Sequence, residues 1–216
     1  MKYTHVLWDF NGTILDDVRT GIYSVNDMLK KRGLPVLKNE TEYRTHFRFP
    51  ITAYYESLGF DFSKEPFEEL APEWVELYLH YVKFARLRPG ITEALSEFRD
   101  SGLRQYIISA TEYNMLSDQL TGLGIKERFD GFIGLDNIHA ASKASLAKQW
   151  YDENKPECAV LIGDTTHDFE VAEFLGCDCI LVSGGHQLRS VLDKCGTVVV
   201  NSIYEAKDIV LKNSAI

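Results

Sequence analysis

Short apolar segments recur along the chain, and turn residues or charged residues bound each of them. They lie at residues 3–9, 105–109, 132–134, 159–163, 179–182 and 198–200. Between them, apolar residues recur at intervals of three and four, which is the period of an amphipathic helix. Short apolar strands that alternate with such helices predict βα units and a parallel sheet. The predicted fold class is therefore α/β, with a doubly wound, Rossmann-like parallel sheet.

Residues 17–86 break this alternation and show only the helical period. The apolar positions on one face of the first helix are Val18, Ile22, Val25 and Leu29. Residues 67–84 carry a second and longer apolar stripe. Glycine and proline residues divide the segment into about four helices. We therefore predict a helical module, residues 16–86, inserted into an α/β core formed by residues 1–15 and 87–216.

Composition narrows the range of partners. The 216 residues are 45% hydrophobic and 25% charged, which is typical of a globular protein. The formal net charge of −9, with no basic stripe, argues against binding to nucleic acid or to an anionic membrane. No apolar run has the length of a signal peptide or a membrane span, so we expect a cytoplasmic protein. The four cysteines lack zinc-site spacing and are expected to be reduced thiols.

Acidic residues follow two of the predicted strands. Asp9 ends the first strand, and Asp164 and Asp168 follow the strand at 159–162. In open α/β sheets, ligands bind outside the carboxyl ends of the strands, so carboxylates there can face a bound ion. Two acids four residues apart at a helix start lie on the same side and can hold a hard cation. Each motif alone is explained equally well as a turn residue or a helix cap.

Two further polar residues occupy comparable positions. Ser109 closes another predicted strand and can offer its hydroxyl to a phosphate oxygen, although a plain turn serine is the commoner case. Lys143 opens a predicted helix, where the helix dipole disfavours an unpaired cation. Bound phosphate and neighbouring carboxylates would account for a lysine there, and the alternative is an exposed surface lysine.

The order of these motifs resembles the four-motif pattern of the haloacid dehalogenase-like superfamily. That order is Asp9 with Thr13, then Ser109, then Lys143, then Asp164 with Asp168. The resemblance covers essentially the whole chain, and the helical insert is similar to the cap of the phosphoglycolate-phosphatase-like branch. It implies a magnesium-dependent phosphatase that hydrolyses a small phosphorylated metabolite. We expect a monomer or a homodimer.

The resemblance also assigns roles to residues. Asp9 would attack phosphorus and form an aspartyl-phosphate. Mg²⁺ would be held by Asp9, by Asp164 and by the backbone carbonyl of Asn11, and Asp168 would support this metal shell.

Phosphate binding and substrate choice fall to other residues. Ser109, Ala110 and Lys143 would bind the phosphate oxygens. Arg48, in a loop between cap helices, is a candidate for substrate selection through a second anionic group, and a surface arginine is the alternative.

Asn11 departs from the family pattern. The family's phosphatases usually have aspartate there, which protonates the leaving group and then activates water. A carboxamide cannot exchange a proton near neutral pH, and loss of a general acid costs about 10²–10⁴-fold in rate. Asp16 and His167 are possible replacement proton donors. The sequence therefore leaves open an impaired or specialised phosphatase and, as an alternative, a phosphate- and metal-binding regulatory protein with little turnover. A structural protein with a vestigial site is a third interpretation.

Overall fold

The computed structural model describes residues 3–135 and 143–214. The strands of its main sheet are β1 (His5–Trp8), β4 (Arg104–Glu112), β5 (Gly131–Leu135), β6 (Ala159–Gly163), β7 (Asp178–Val182) and β8 (Val198–Val200). Two short strands, β2 (Leu15–Asp16) and β3 (Arg86–Leu87), form an antiparallel pair outside this sheet. The main sheet has the order β5-β4-β1-β6-β7-β8, and each of these neighbours pairs in parallel. The predicted α/β fold class is confirmed.

Helices connect the strands and form the inserted segment. Those of the insert are α1 (Val18–Lys31), α2 (Glu40–His46), α3 (Ile51–Ser57) and α4 (Phe67–Tyr81). Those that follow are α5 (Ile91–Asp100), α6 (Tyr113–Gly122), α7 (Lys143–Asn154), α8 (Thr166–Leu175), α9 (Arg189–Leu192) and α10 (Ile203–Ser214). Short 3₁₀ helices lie at Val82–Phe84 and Lys126–Arg128. Among the described residues, no helix is both long and apolar enough to cross a bilayer.

Alternate residues of the central strands enter two different hydrophobic clusters. Val6 and Trp8 of β1 pack in one cluster, while Leu7 packs in the other. Val160 and Leu161 of β6 divide in the same way. Because successive side chains of a strand point to opposite faces, this division shows that helices cover both faces of the sheet. A central strand buried on both faces is continuously apolar, as the sequence of β1 is.

The helices of the insert bury a third hydrophobic cluster of their own. It includes Val25 and Leu29 of α1, Tyr54 and Tyr55 of α3, and Leu70 of α4. The antiparallel pair of β2 and β3 joins the two chain crossings between this insert and the core, with Leu15 opposite Leu87. The exact boundaries of the cap, residues 16–86, stay a prediction. We refer to this inserted segment as the cap.

The order of the strands fixes where a ligand can bind. β1 lies between β4 and β6. Strands β4 and β5, which come next in the chain, lie on one side of β1, and strands β6, β7 and β8 lie on the other side. A crevice forms at the carboxyl ends of the strands where the direction reverses. The carboxyl ends of β1, β4 and β6 are therefore the expected location of a site.

Candidate active site

Three buried carboxylates meet at the carboxyl ends of β1 and β6. Asp9 directly follows β1, Asp164 directly follows β6, and Asp168 lies in the first turn of α8. Their relative exposures are 8%, 0% and 1%, and one oxygen from each lies within 4.8 Å of the others. Asp9 and Asp164 are 155 residues apart in the chain. The two acidic motifs thus form one site, called here the carboxylate cluster.

Lys143 places its ammonium group inside this cluster. It is the first described residue of α7 and is only 4% exposed. Its Nζ donates a hydrogen bond to Asp9 Oδ1 and another, of 2.6 Å, to Asp168 Oδ1. Burial acts to lower the pKa of Lys143, but the Asp168 and Asp9 carboxylates outweigh it and raise the pKa. Lys143 is therefore charged and directly contacts the candidate nucleophile.

The cluster holds more negative charge than Lys143 neutralises. Burial raises the pKa of Asp9, and the Asp168 carboxylate raises it further, while Lys143 offsets only part of this effect. Burial likewise raises the pKa of Asp164. A divalent cation would relieve this excess. An all-oxygen donor set is also the one that Mg²⁺ prefers, so the residues present fit a magnesium ion.

Asp168 both caps a helix and anchors the lysine. Its Oδ2 accepts hydrogen bonds from Thr165 N at 3.0 Å, Thr165 Oγ1 at 2.8 Å and Asp164 N at 3.1 Å. Burial acts to raise the pKa of Asp168, but Lys143 and the hydrogen bonds from Thr165 outweigh burial and lower it. A Cβ at Gly163 would lie 2.3 Å from Asp168 Cγ, so only glycine fits where β6 ends. The carboxylate is ionised and fixed in orientation.

Asp164 is oriented by two donors from opposite ends of the chain. Thr13 Oγ1 donates to its Oδ1 at 2.9 Å, and the backbone N–H of His186 donates to its Oδ2 at 2.6 Å. A Cβ at Gly12 or Gly185 would approach Asp164 Oδ2 within 2.4 and 2.2 Å respectively. Gly12 also has a φ of +76°, which an L side chain rarely adopts. The Asn11-Gly12 turn thus brings backbone directly against the carboxylate.

Ser109 lies within β4 rather than at its end. The predicted strand stops at Ser109, whereas β4 continues to Glu112 with an irregular register between Ile108 and Glu112. Ser109 is buried, and its Oγ donates to Thr111 Oγ1 at 3.0 Å and accepts from Thr111 N at 3.0 Å. Ala110, the next residue, is exposed. Their predicted phosphate contacts stay predictions.

The Asn11 carboxamide is held by hydrogen bonds on both of its polar atoms. Its Nδ2 donates to Asp17 Oδ2 at 2.8 Å and to the Tyr78 hydroxyl at 2.7 Å. Its Oδ1 accepts from Thr111 Oγ1 at 2.7 Å. Tyr78, on cap helix α4, also donates to Asp17 Oδ2 at 2.8 Å. Asn11, Asp17, Tyr78 and Thr111 are called the Asn11 network below.

His186 forms a second buried ion pair beside the cluster. Its Nε2 lies 3.2 Å from Asp17 Oδ1, and its Nδ1 lies 2.8 Å from the hydroxyl of Tyr43 on α2. Burial acts to lower the pKa of His186, but Asp17 outweighs burial and raises the pKa to about 9. From the sequence, Gly184-Gly185-His186 reads as a turn before a helix. Its position in the loop after strand β7 was the available signal for a site residue.

Arg88 joins two loops of the site and was also missed in the sequence. Its guanidinium donates to the carbonyl of Gly12 at 2.6 Å and to the carbonyl of Ser183 at 2.7 Å. These contacts link the loop after β1 to the loop after β7. Arg88 directly follows β3, so it lies where the chain returns from the cap to the core.

An arginine of the cap other than Arg48 contacts the core. Arg44 of α2 donates to the carbonyls of Gly185 at 2.6 Å and Gly184 at 2.9 Å. Arg48 is exposed and donates to the carbonyls of His46 and Thr45 in its own segment. A role for Arg48 in substrate selection stays a prediction.

The two alternative proton donors, His167 and Asp16, have different neighbours from Asn11. His167 is partly buried, with its Nδ1 3.2 Å from Glu170 Oε2 and its ring 4.8 Å from the Phe49 ring. Asp16 is exposed on β2. Neither residue belongs to the Asn11 network.

Known proteins share both the sequence pattern and the fold. A family model described as haloacid dehalogenase-like hydrolase matches residues 6–182. Phosphoglycolate phosphatase of Nitrosococcus oceani is 25% identical over 94% of this chain and 95% of its own length. Tyrosine-protein kinase PtkA of Mycobacterium tuberculosis is 25% identical over 90% of this chain and 67% of its own.

Solved structures share this fold. A haloacid dehalogenase-like family hydrolase from Streptococcus pneumoniae superposes with a TM-score of 0.77 at 23% identity, covering 96% of this chain and 98% of that one. The PtkA structure gives a TM-score of 0.82 at 21% identity, with coverage of 97% and 98%. The chain therefore belongs to the haloacid dehalogenase-like hydrolase family, in its phosphoglycolate-phosphatase-like branch, and is an enzyme of the phosphoric monoester hydrolase class.

Proposed function

We propose that this enzyme hydrolyses a small phosphorylated metabolite with Mg²⁺, through an aspartyl-phosphate formed on Asp9. The observation that carries the proposal is the buried carboxylate cluster around Lys143, at the point where the strand order reverses. Three carboxylates and the Lys143 ammonium group converge there, which supports Asp9 as the nucleophile and the carboxylate oxygens as metal ligands. The phosphatases among its relatives support the same reaction class.

Each residue of the cluster has a place in the proposed reaction. An Asp9 carboxylate oxygen forms a bond to phosphorus while the bond to the leaving oxygen breaks. Lys143, with Ser109 and the backbone N–H of Ala110, would bind the phosphate oxygens and stabilise charge in the transition state. Water then attacks phosphorus, releases phosphate and restores the Asp9 carboxylate.

The metal would supply positive charge at the same place. Asp9, Asp164 and the backbone carbonyl of Asn11 would hold Mg²⁺, which when bound offsets the negative charge of the phosphate and of the cluster. Asp168 would hold the Lys143 ammonium group in place and fix the orientation of the turn that carries Asp164. We expect the enzyme to work in the cytoplasm as a monomer or homodimer on a free metabolite.

Asn11 supports a second candidate function. Because a carboxamide cannot donate and recover a proton, the chain would bind phosphate and metal yet turn over slowly. It would then act as a regulatory protein whose cap responds to a bound phosphorylated ligand. Ligand binding without phosphate release would distinguish this function from catalysis.

A phosphate-release assay over varied metabolites and aryl phosphates tests the proposal. We expect release with Mg²⁺, loss in EDTA and recovery when the metal is restored. Asp9→Asn should abolish release and retain the fold, judged by circular dichroism and thermal unfolding. Asp118→Asn, an exposed carboxylate on α6, is the matched control and should keep full activity. Full activity of Asp9→Asn, or of the wild type in EDTA, would refute the mechanism.

A further inference from the structure

The hydrogen bonds of Asn11 leave its amide no proton to offer a substrate. A carboxamide has two N–H donors, and in Asn11 one is directed to Asp17 Oδ2 and the other to the Tyr78 hydroxyl. Its oxygen accepts from Thr111. Asn11 thus cannot protonate a leaving group and is also held away from donating a hydrogen bond to one.

The neighbours of Asn11 do not supply the missing acid. The Tyr78 hydroxyl donates its proton to Asp17, and the Thr111 hydroxyl donates its proton to Asn11. Asp17 accepts from Asn11, Tyr78 and the backbone N–H of Gly12, and His186 Nε2 lies 3.2 Å from it. A carboxylate surrounded in this way serves as an acceptor. Within the Asn11 network, every donor is already engaged.

We propose, on the basis of the function proposed above, that the substrates are phosphate esters and anhydrides whose leaving group is a weak base. This class comprises acyl phosphates, phosphoanhydrides, and aryl or enol phosphates. When Asp9 forms its bond to phosphorus, the electron pair of the breaking P–O bond stays on the leaving oxygen. A carboxylate, phosphate or phenolate departs in that form without a proton. An alkoxide, which is strongly basic, needs the proton that position 11 cannot give.

Hydrolysis of the aspartyl-phosphate, the second step of the reaction, also needs no proton from Asn11. Water attacks phosphorus of the aspartyl-phosphate, the bond from phosphorus to the Asp9 oxygen breaks, and a water proton goes to the released phosphate. In this scheme Asp17 is a positioning residue: it holds the Asn11 amide and, through Tyr78, ties α4 of the cap to the loop after β1.

The test is the dependence of kcat/KM on the basicity of the leaving group. Acetyl phosphate, a graded series of aryl phosphates and several alkyl phosphates are compared with Mg²⁺ present. The wild-type protein is first checked by intact mass for deamidation at Asn11, because chains with an aspartate there would cleave alkyl phosphates and be mistaken for wild-type activity. We expect kcat/KM to fall steeply as the leaving-group pKa rises, by about 10²-fold or more between aryl and alkyl phosphates. The solvent deuterium isotope effect should be close to unity.

Exchanging the side chains of Asn11 and Asp17 tests the role of the Asn11 network. Asn11→Asp alone would place a second carboxylate where Nδ2 now lies 2.8 Å from Asp17 Oδ2, so the two would share a proton. The double variant Asn11→Asp with Asp17→Asn keeps one carboxylate and one carboxamide in contact. We expect the double variant to gain about 10²-fold on alkyl phosphates and little on acetyl phosphate. Asn11→Asp alone should gain less, and Asp17→Asn alone should gain nothing.

The outcomes separate this inference from the proposed function. If no phosphate of any kind is cleaved with Mg²⁺, the proposed function fails. If verified wild type cleaves alkyl and aryl phosphates with similar kcat/KM, only the inference fails, and another residue such as His186 supplies the proton. The wild-type series decides this even if a variant does not fold.

Discussion

At the level of single residues, Asp164 contacts both buried ion pairs of the site. Its backbone N–H donates to Asp168, which pairs with Lys143, and its Oδ2 accepts from the N–H of His186, which pairs with Asp17. Removing one partner of a buried pair leaves an uncompensated charge, at a cost of about 3–5 kcal/mol. Substitutions here therefore change stability as well as activity, and each needs a fold measurement beside the rate.

The pair of His186 and Asp17 predicts a particular dependence of stability on pH. The folded-state pKa of His186 is about 9, above the unfolded value of 6.5, so the stabilisation is complete below pH 6.5. It is lost as pH rises through 9. The pKa of Asp17 is lowered, against burial, chiefly by His186, so its contribution is lost only as pH falls below the usual aspartate range.

We therefore expect the free energy of unfolding in urea to decline between pH 6.5 and 9, with EDTA present to match the metal-free site. His186→Gln should be less stable at pH 6.5 and should show a shallower decline. His80→Gln, which changes a histidine of α4 that is exposed, is the control and should retain the wild-type slope. Equal slopes for wild type and His186→Gln would show that the pair does not titrate in this range.

The sequence pointed to Asp9, Asp164 and Lys143 through the order of their motifs along the chain. Each motif alone is explained equally well as a turn residue, a helix cap or a surface lysine. Asp17, Tyr78 and His186 could not be found in this way. Tyr78 is 61 residues from Asp17 and reads as one more apolar position in a helical stripe, and His186 is 169 residues from Asp17. Their contacts arise only when the cap docks on the core.

At the level of elements, periodicity gave the type of each segment more accurately than its ends. The stripe at residues 67–84 predicts one helix, but α4 ends at Tyr81 and a 3₁₀ turn follows. The strand predicted at 105–109 extends to Glu112, because an irregular register lets β4 continue past Ser109. Apolar spacing reports which face is buried, while the ends depend on hydrogen bonds that the spacing does not encode.

The docking of α2 on the core predicts that Arg44 and Arg48 differ in function. Arg44→Ala removes two hydrogen bonds to the loop after β7, so the cap should open more often. We expect kcat/KM to fall for every substrate and hydrogen exchange to rise at residues 183–187. Arg48→Ala removes bonds within its own segment only, so hydrogen exchange at residues 183–187 should stay at the wild-type rate. An increase in KM for an anionic substrate that is confined to Arg48→Ala would instead favour substrate selection by Arg48.

At the level of the whole molecule, the fold concentrates charge of one sign in a protein that is already acidic. The net charge is −9, and the reversal of strand order at β1 gathers three of the chain's carboxylates in one buried place. Raised pKa values of Asp9 and Asp164 mean that folding opposes their ionisation at neutral pH. The metal-free fold therefore carries a strain that a bound divalent cation would remove.

Metal binding should consequently stabilise the whole chain. A ligand that binds only the folded state at 100 times its dissociation constant adds about 2.7 kcal/mol. For a chain of this size, that raises Tm by roughly 5–10 °C. We expect Mg²⁺ to produce such a rise at constant ionic strength, and EDTA to reverse it. This measurement is independent of catalysis, so it holds for the slow enzyme and for the regulatory protein alike.

Asp164→Asn separates metal binding from general salt effects. The substitution removes one buried carboxylate from the crowded cluster. In EDTA the variant should be at least as stable as the wild type, because burial, and to a smaller extent Asp168, disfavours the charged form of Asp164. Adding Mg²⁺ should leave the Tm of Asp164→Asn at its value in EDTA, because the variant lacks one of the carboxylates that would bind the metal. Asp118→Asn, which lies on the surface of α6, should show the full wild-type rise. A rise in Asp164→Asn equal to that of the wild type would place the bound cation elsewhere in the molecule.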